Sequence, residues 1–134
     1  MALQFYELDR IVQELVLDCR DQENVLNESH KMRATVAYGL ERFWGEHIRL
    51  GQSRKELAKA EYWASTWTAF VSLMEKGGIT LPKKVNLKNT DEIRGVTKEF
   101  WDNKLLSMEE RRIALSVLTQ LCETLVWWTQ RYKK

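Results

Sequence analysis

Residues 53–74 read Ser53-Arg-Lys-Glu-Leu57-Ala-Lys-Ala60-Glu-Tyr-Trp63-Ala64-Ser-Thr-Trp67-Thr-Ala-Phe70-Val71-Ser-Leu-Met74. Leu57, Ala60, Trp63, Ala64, Trp67, Phe70, Val71 and Met74 recur at steps of three and four, the stripe of an amphipathic helix of about six turns. Ser53 followed by Glu56 has the spacing of a capping box and marks a start. Gly77-Gly78 mark the stop, because two glycines carry more backbone freedom than a helix end retains. The stripe is broad and holds two indoles one turn apart. A face of that width needs cover on both flanks, which predicts the central helix of a bundle.

The flanking segments read the same way. A first helix is expected from about Gln4 to Gln22, with Leu8, Ile11, Val12, Leu15, Val16 and Cys19 as its stripe and Phe5 extending it backwards. A second is expected from about Glu28 to Leu50, capped by Asn27, with Met32, Val36, Leu40, Phe43, Trp44 and Ile48 on its face and His47 at the edge of that face. Gly39 and Gly45 fall inside it, each at a cost of roughly 1 kcal/mol against alanine, so each marks a close contact or a bend. Gly51 has the position of a C-cap glycine, and the short link Gly51-Gln52-Ser53 makes the second and third helices antiparallel neighbours. From Gly77 to Asn89 the helical period is lost. Ile79, Leu81, Val85 and Leu87 alternate with polar residues, but a lone strand has no partner here, so the segment is expected to be an ordered crossover tucked under the bundle. Asn89 with Glu92 opens a fourth helix, lined by Ile93, Val96, Phe100 and Trp101 and ending near Lys104. Ser107 with Glu110 opens a last one, Met108 to Tyr132, too apolar to leave one flank to water. The expectation is an all-α compact bundle of about five helices with one irregular crossover loop, a single helical domain over residues 1–134.

Composition agrees. One proline and six glycines in 134 residues suit long helices with short connections. A sheet protein of this length needs turn chemistry far more often. With 44% hydrophobic and 30% charged residues the chain is globular rather than disordered. No apolar run is long enough to span a membrane, and the first residues lack the pattern of a signal segment. Two cysteines, Cys19 and Cys122, fall on apolar faces and are expected as free, buried thiols in a cytoplasmic protein. The net charge of +2 is unevenly spread: residues 1–50 hold nine acidic and six basic side chains, residues 51–134 ten acidic and fifteen basic. A nucleic-acid or acidic-protein face is therefore expected in the C-terminal part.

Patterns that carry chemistry are few. His30 and His47 stand beside Glu28 and Glu46 at spacings that do not place two ligands on one helical face, so no metal is expected. Neither a nucleophile elbow nor a phosphate-cradling glycine loop is present, and no small-molecule cofactor is expected. The spacing Arg42-Phe-Trp-Gly-Glu-His47 resembles the short Arg-x(4–6)-His motif of the HEPN family of helical domains, many of them metal-independent RNases. That resemblance implies a dimer in which Arg42 stabilises the scissile phosphate and His47 moves a proton. It covers six residues, and Phe43 stands where the family generally has a polar side chain.

Six tryptophans are the compositional oddity. Trp127 and Trp128 are adjacent, so one helix cannot aim both at the same neighbour. With Tyr132 they are the expected protein interface. Arg54, Lys55, Lys59, Lys83, Lys84, Lys88, Arg131, Lys133 and Lys134 are the candidates for contacting RNA or DNA phosphates. The leading expectation is a non-enzymatic helical adaptor or assembly subunit with a protein partner or a second copy of itself. The alternatives are a small subunit that binds nucleic-acid backbone, and an RNase using Arg42 and His47.

Overall fold

The computed structural model describes residues 5–134. Among them are six α-helices and no strand: α1 (Phe5–Cys19), α2 (Glu28–Thr35), α3 (Leu40–Leu50), α4 (Leu57–Lys76), α5 (Thr90–Trp101) and α6 (Met108–Tyr132). The all-α bundle is as expected. The expected start of the first helix at Gln4, and the Phe5 side chain, lie outside what is described.

The sixth helix arises because the expected second one is broken. After α2 comes a single 3-10 turn, Val36–Tyr38, and then Gly39 at φ 102°, ψ 172°. Only glycine occupies that region at low cost. The Gly39 carbonyl then accepts from the Phe43 N–H and starts α3. Gly45, by contrast, stays inside α3. The break lets α2 lie on α6 while α3 lies on α4.

The helix ends separate into those their side chains cap and those they do not. Ser107 accepts from the Glu110 N–H at 3.1 Å while the Glu110 carboxylate accepts from the Ser107 N–H at 3.0 Å, a complete capping box. The Asn89 side chain accepts from the Glu92 N–H at 2.9 Å. Asn27 is helical and makes no side-chain cap bond. Ser53 is extended but also makes none, and a 3-10 turn over Arg54–Glu56 delays α4 to Leu57. At the far end of α4 the Ile79 N–H reaches the Met74 carbonyl and the Gly78 N–H the Glu75 carbonyl, each at 3.0 Å. With Gly78 at φ 82° this is a Schellman stop, and the buried pair Met74 and Ile79 supplies its apolar contact.

α6 is the spine. α1 runs parallel to it, with Asp9 at Trp128 and Gln13 at Tyr132. α2 runs antiparallel, with Ser29 at Thr129 and Arg33 at Glu123. α4 packs on α3 through Phe43, whose ring lies 4.9 Å from Trp63 and 6.3 Å from Trp67. α5 closes the bundle by setting Phe100 5.6 Å from Trp44 and 6.0 Å from Trp67. The width expected of α4 is real, and it extends to Tyr62 and Thr66, both fully buried.

Candidate functional site

The crossover between α4 and α5 contains no secondary structure, yet it is built into the core. Ile79 and Leu81 are buried, and Val85 and Leu87 pack against the core from its edge. Three ring nitrogens face its carbonyls. The Trp67 indole N–H donates to Pro82 O at 2.8 Å, and the Trp44 indole N–H to Lys84 O at 3.0 Å. His47 Nε2 lies 2.6 Å from Val85 O. An unpaired carbonyl under a bundle carries a desolvation cost, and these rings remove it.

That arrangement accounts for His47. Its ring is 6% exposed, and its other nitrogen, Nδ1, lies 2.5 Å from the Trp44 carbonyl. Both nitrogens lie against backbone carbonyls, and a neutral ring donates its one N–H to either of them. Arg42 is exposed on another side of α3, over the Tyr38 ring at 5.8 Å, in a concavity with Thr35 and Glu46. His47 lines a different concavity with Gly51, Gln52, Ala60 and Val85. The structure does not bring Arg42 and His47 together.

The basic candidates also separate. Lys83 pairs with Glu75, Lys59 with Glu56 at 3.0 Å, and Lys134 with Asp21 at 2.6 Å. The Lys134 ammonium holds the Asp21 carboxyl below the usual carboxylate range. Arg131 lies over the Trp127 ring, 3.4 Å from its centroid. Arg54, Lys55, Lys84, Lys88 and Lys133 are exposed and form no ion pair among the described residues.

At the C-terminal end of α6 the tryptophan pair divides. Trp128 is half-buried, donates to the Asp9 carboxylate at 2.8 Å and stacks 5.1 Å from Tyr132. The Tyr132 hydroxyl accepts from the Gln13 amide at 2.9 Å. Trp127 stands outward, 48% exposed, with its ring edge-on to Trp128 at 4.8 Å. The three expected interface residues therefore form one ladder, of which Trp127 is the outward rung, with Arg131 over its ring.

A second apolar surface was not anticipated. Trp101 is 67% exposed, Leu105 57% and Met108 62%, at the corner where α5 turns into α6. The Arg111 guanidinium lies 5.7 Å from the Trp101 ring and pairs with Glu41 at 3.1 Å, which sets the end of α5 beside the first turns of α6. Sequence reasoning placed Trp101 on the inner stripe. Phe100 takes the inward position, so its neighbour in a helix is turned out.

The buried polar groups are structural. Glu28, 1% exposed, accepts from the Trp63 indole at 3.0 Å and pairs with Lys31 at 3.1 Å. Ser29 joins Tyr62 at 2.5 Å and Thr129 at 2.6 Å, tying α2, α4 and α6 together. Burial pushes the Tyr62 phenol up to about 12 and the Cys19 thiol up to about 11. It pushes the Cys122 thiol up as well. Both cysteines are free, and protonated thiols of this kind are poor nucleophiles.

Among the described residues no group of His, Cys, Asp or Glu is placed to hold a metal ion, and no helix is long and apolar enough to cross a membrane. Comparison with known proteins gives no match, whether to a family model, a curated protein or a solved structure.

Proposed function

We propose that this chain is a non-enzymatic helical adaptor or assembly subunit that works by protein–protein association. One observation carries the reading. Trp101, Leu105 and Met108, three large apolar side chains each more than half exposed, share one corner of a helical frame. Exposed apolar residues scattered singly are ordinary, whereas a group of them on rigid elements has the chemistry of an interface core. Met and Trp are also residue types enriched at such cores. The Trp127 ladder at the other end of α6 gives a second surface of the same kind. Asp9 and Gln13 fix Trp128 and Tyr132, the rings behind Trp127, so little order is lost in that backing on docking.

The test is light scattering over a range of concentrations in low and high salt, on the wild-type chain, on Trp101→Ser/Met108→Ser and on Trp127→Ala. Apolar association persists in high salt. The corner variant is expected to weaken it at least tenfold with far-UV circular dichroism unchanged, since central aromatic anchors are each worth about 2 kcal/mol or more. The reading fails if the wild-type chain is monomeric throughout, or if neither variant shifts the association.

A further inference from the structure

The crossover has a feature that association does not use. Leu81 and Pro82 are both buried and Lys83 is exposed, and from there exposed Lys84, Asn86 and Lys88 alternate with the half-buried Val85 and Leu87. This alternation is the signature of extended backbone. It spaces successive outward side chains by about 6.6 Å and puts the two lysines about 13 Å apart. Extended loops are ordinarily mobile and present their charges loosely. Here Trp67, Trp44 and His47 engage the carbonyls of Pro82, Lys84 and Val85 from beneath, so the lysine row is mounted on the core.

The row borders a concavity of about 280 Å³, lined on one side by Val85, Asn86 and Leu87 and on the other by Gly51, Gln52 and Leu57. Arg54 and Lys55 lie in the turn between Gln52 and Leu57, two of the residues that line the concavity's other side. Lys84, Lys88, Arg54 and Lys55 are all without an ion pair among the described residues, whereas the neighbouring Lys83 and Lys59 are each neutralised by a glutamate. The opposing charges are few. Glu61 lines the concavity, and Glu92 accepts from the Lys88 backbone N–H at 2.8 Å. Asp91 pairs with Arg94, and Glu46 with Arg49.

We infer that this edge binds the phosphodiester backbone of a single-stranded nucleic acid, laid along Lys84, Asn86 and Lys88 with Arg54 and Lys55 closing the other side. The four cations flank the concavity rather than line it, the lining itself carries the Glu61 carboxylate, and long exposed side chains of this kind reach phosphates rather than base edges. Binding is therefore strong in salt dependence and weak in sequence preference. The site is separate from the Trp101 corner and does not depend on the association reading.

The experiment is fluorescence anisotropy with labelled 20-nucleotide single strands of mixed and homopolymeric sequence, titrated with the full chain at rising salt. Four phosphate contacts give a log–log salt slope of about −2.8, so a fourfold rise in salt weakens binding about 50-fold. Lys84→Gln/Lys88→Gln should halve that slope, leaving a drop of about sevenfold, while Lys84→Arg/Lys88→Arg should restore it. Trp101→Ser should bind like the wild-type chain. Circular dichroism on each variant confirms that the fold is intact. The inference is overturned by absence of binding at low salt, by an unchanged slope in the glutamine variant, or by a duplex of equal length binding as tightly. It is also overturned if the glutamine variant changes the oligomeric state without changing oligonucleotide binding, because the edge then belongs to a protein interface.

Discussion

Replacing Ser29 with alanine should cost far more than the loss of one oxygen suggests. Ser29 is the middle member of a three-hydroxyl chain, 2.5 Å from Tyr62 Oη and 2.6 Å from Thr129 Oγ1. All three residues are fully buried. Alanine leaves the buried Tyr62 and Thr129 hydroxyls with only each other in reach, at about 1–3 kcal/mol for each that stays unpaired. Tyr62→Phe or Thr129→Val leaves Ser29 bonded to the remaining partner and should cost about 1 kcal/mol. For a chain of this size each kcal/mol moves Tm by roughly 3–4 °C. Ser29→Ala should therefore lower Tm by about 10 °C, and each single variant at the ends by about 4 °C. The decisive comparison is the triple variant Ser29→Ala/Tyr62→Phe/Thr129→Val. Removing the stranded hydroxyls should make it more stable than Ser29→Ala alone, although it has lost more polar atoms. Thermal and urea melts followed by circular dichroism read this directly. A triple variant no more stable than Ser29→Ala would show that Tyr62 and Thr129 find other partners, and would refute the argument.

Two further outcomes follow from backbone geometry and from buried acids. Gly39→Ala should destabilise by about 2 kcal/mol, because Gly39 sits at φ 102°, ψ 172° with nothing within 4 Å of the position a Cβ would take. Gly78→Ala, at φ 82° and equally uncrowded, should cost about 1 kcal/mol, and equal urea midpoints for both variants and the wild type would contradict this. Stability should also fall as pH rises. The unfolded Cys19 thiol ionises near 9.0 and the folded one near 11, and the Tyr62 phenol shifts from 10.0 to about 12. The unfolded state thus loses these protons first, so their contribution is full below pH 9.0 and lost between there and about pH 12. A urea midpoint that does not change between pH 8 and pH 10.5 would count against it, and so would rapid maleimide labelling of either thiol in the native protein at neutral pH.

The helices that were readable are those whose ends are written in side chains. Ser107 and Glu110 make both bonds their spacing implies, and α6 begins and ends where periodicity puts it. Ser53 and Glu56 have the same spacing, yet the chain there takes a 3-10 turn and the serine caps nothing. A capping pattern records an option, and tertiary packing decides whether it is used. The break at Gly39 was visible only as a choice between two glycines, because its cause is a backbone angle. The candidate surfaces were half legible. Adjacency of Trp127 and Trp128 identified an outward indole, and the same reasoning applied to Phe100 and Trp101 finds the second. The lysine row was legible as charge. Which lysines stay unpaired was not, because Glu75 and Glu56 reach Lys83 and Lys59 only in the folded chain. His47 read as a proton carrier or a face-edge residue, and its contact with the Val85 carbonyl depends on a connection 38 residues away.

The place of α6 in chain order has a consequence for biogenesis. The helix against which α1 and α2 pack is the last of the six to be synthesised. Until it emerges, Leu8, Val12 and Val16 on α1 and Met32 on α2 lack their principal cover, and the Ser29 hydroxyl lacks Thr129. Closing the core thus waits until α6 has been made. Until then the growing chain presents apolar helices to chaperones, and a premature stop before α6 leaves a product that cannot close its core and is marked for degradation rather than partial function.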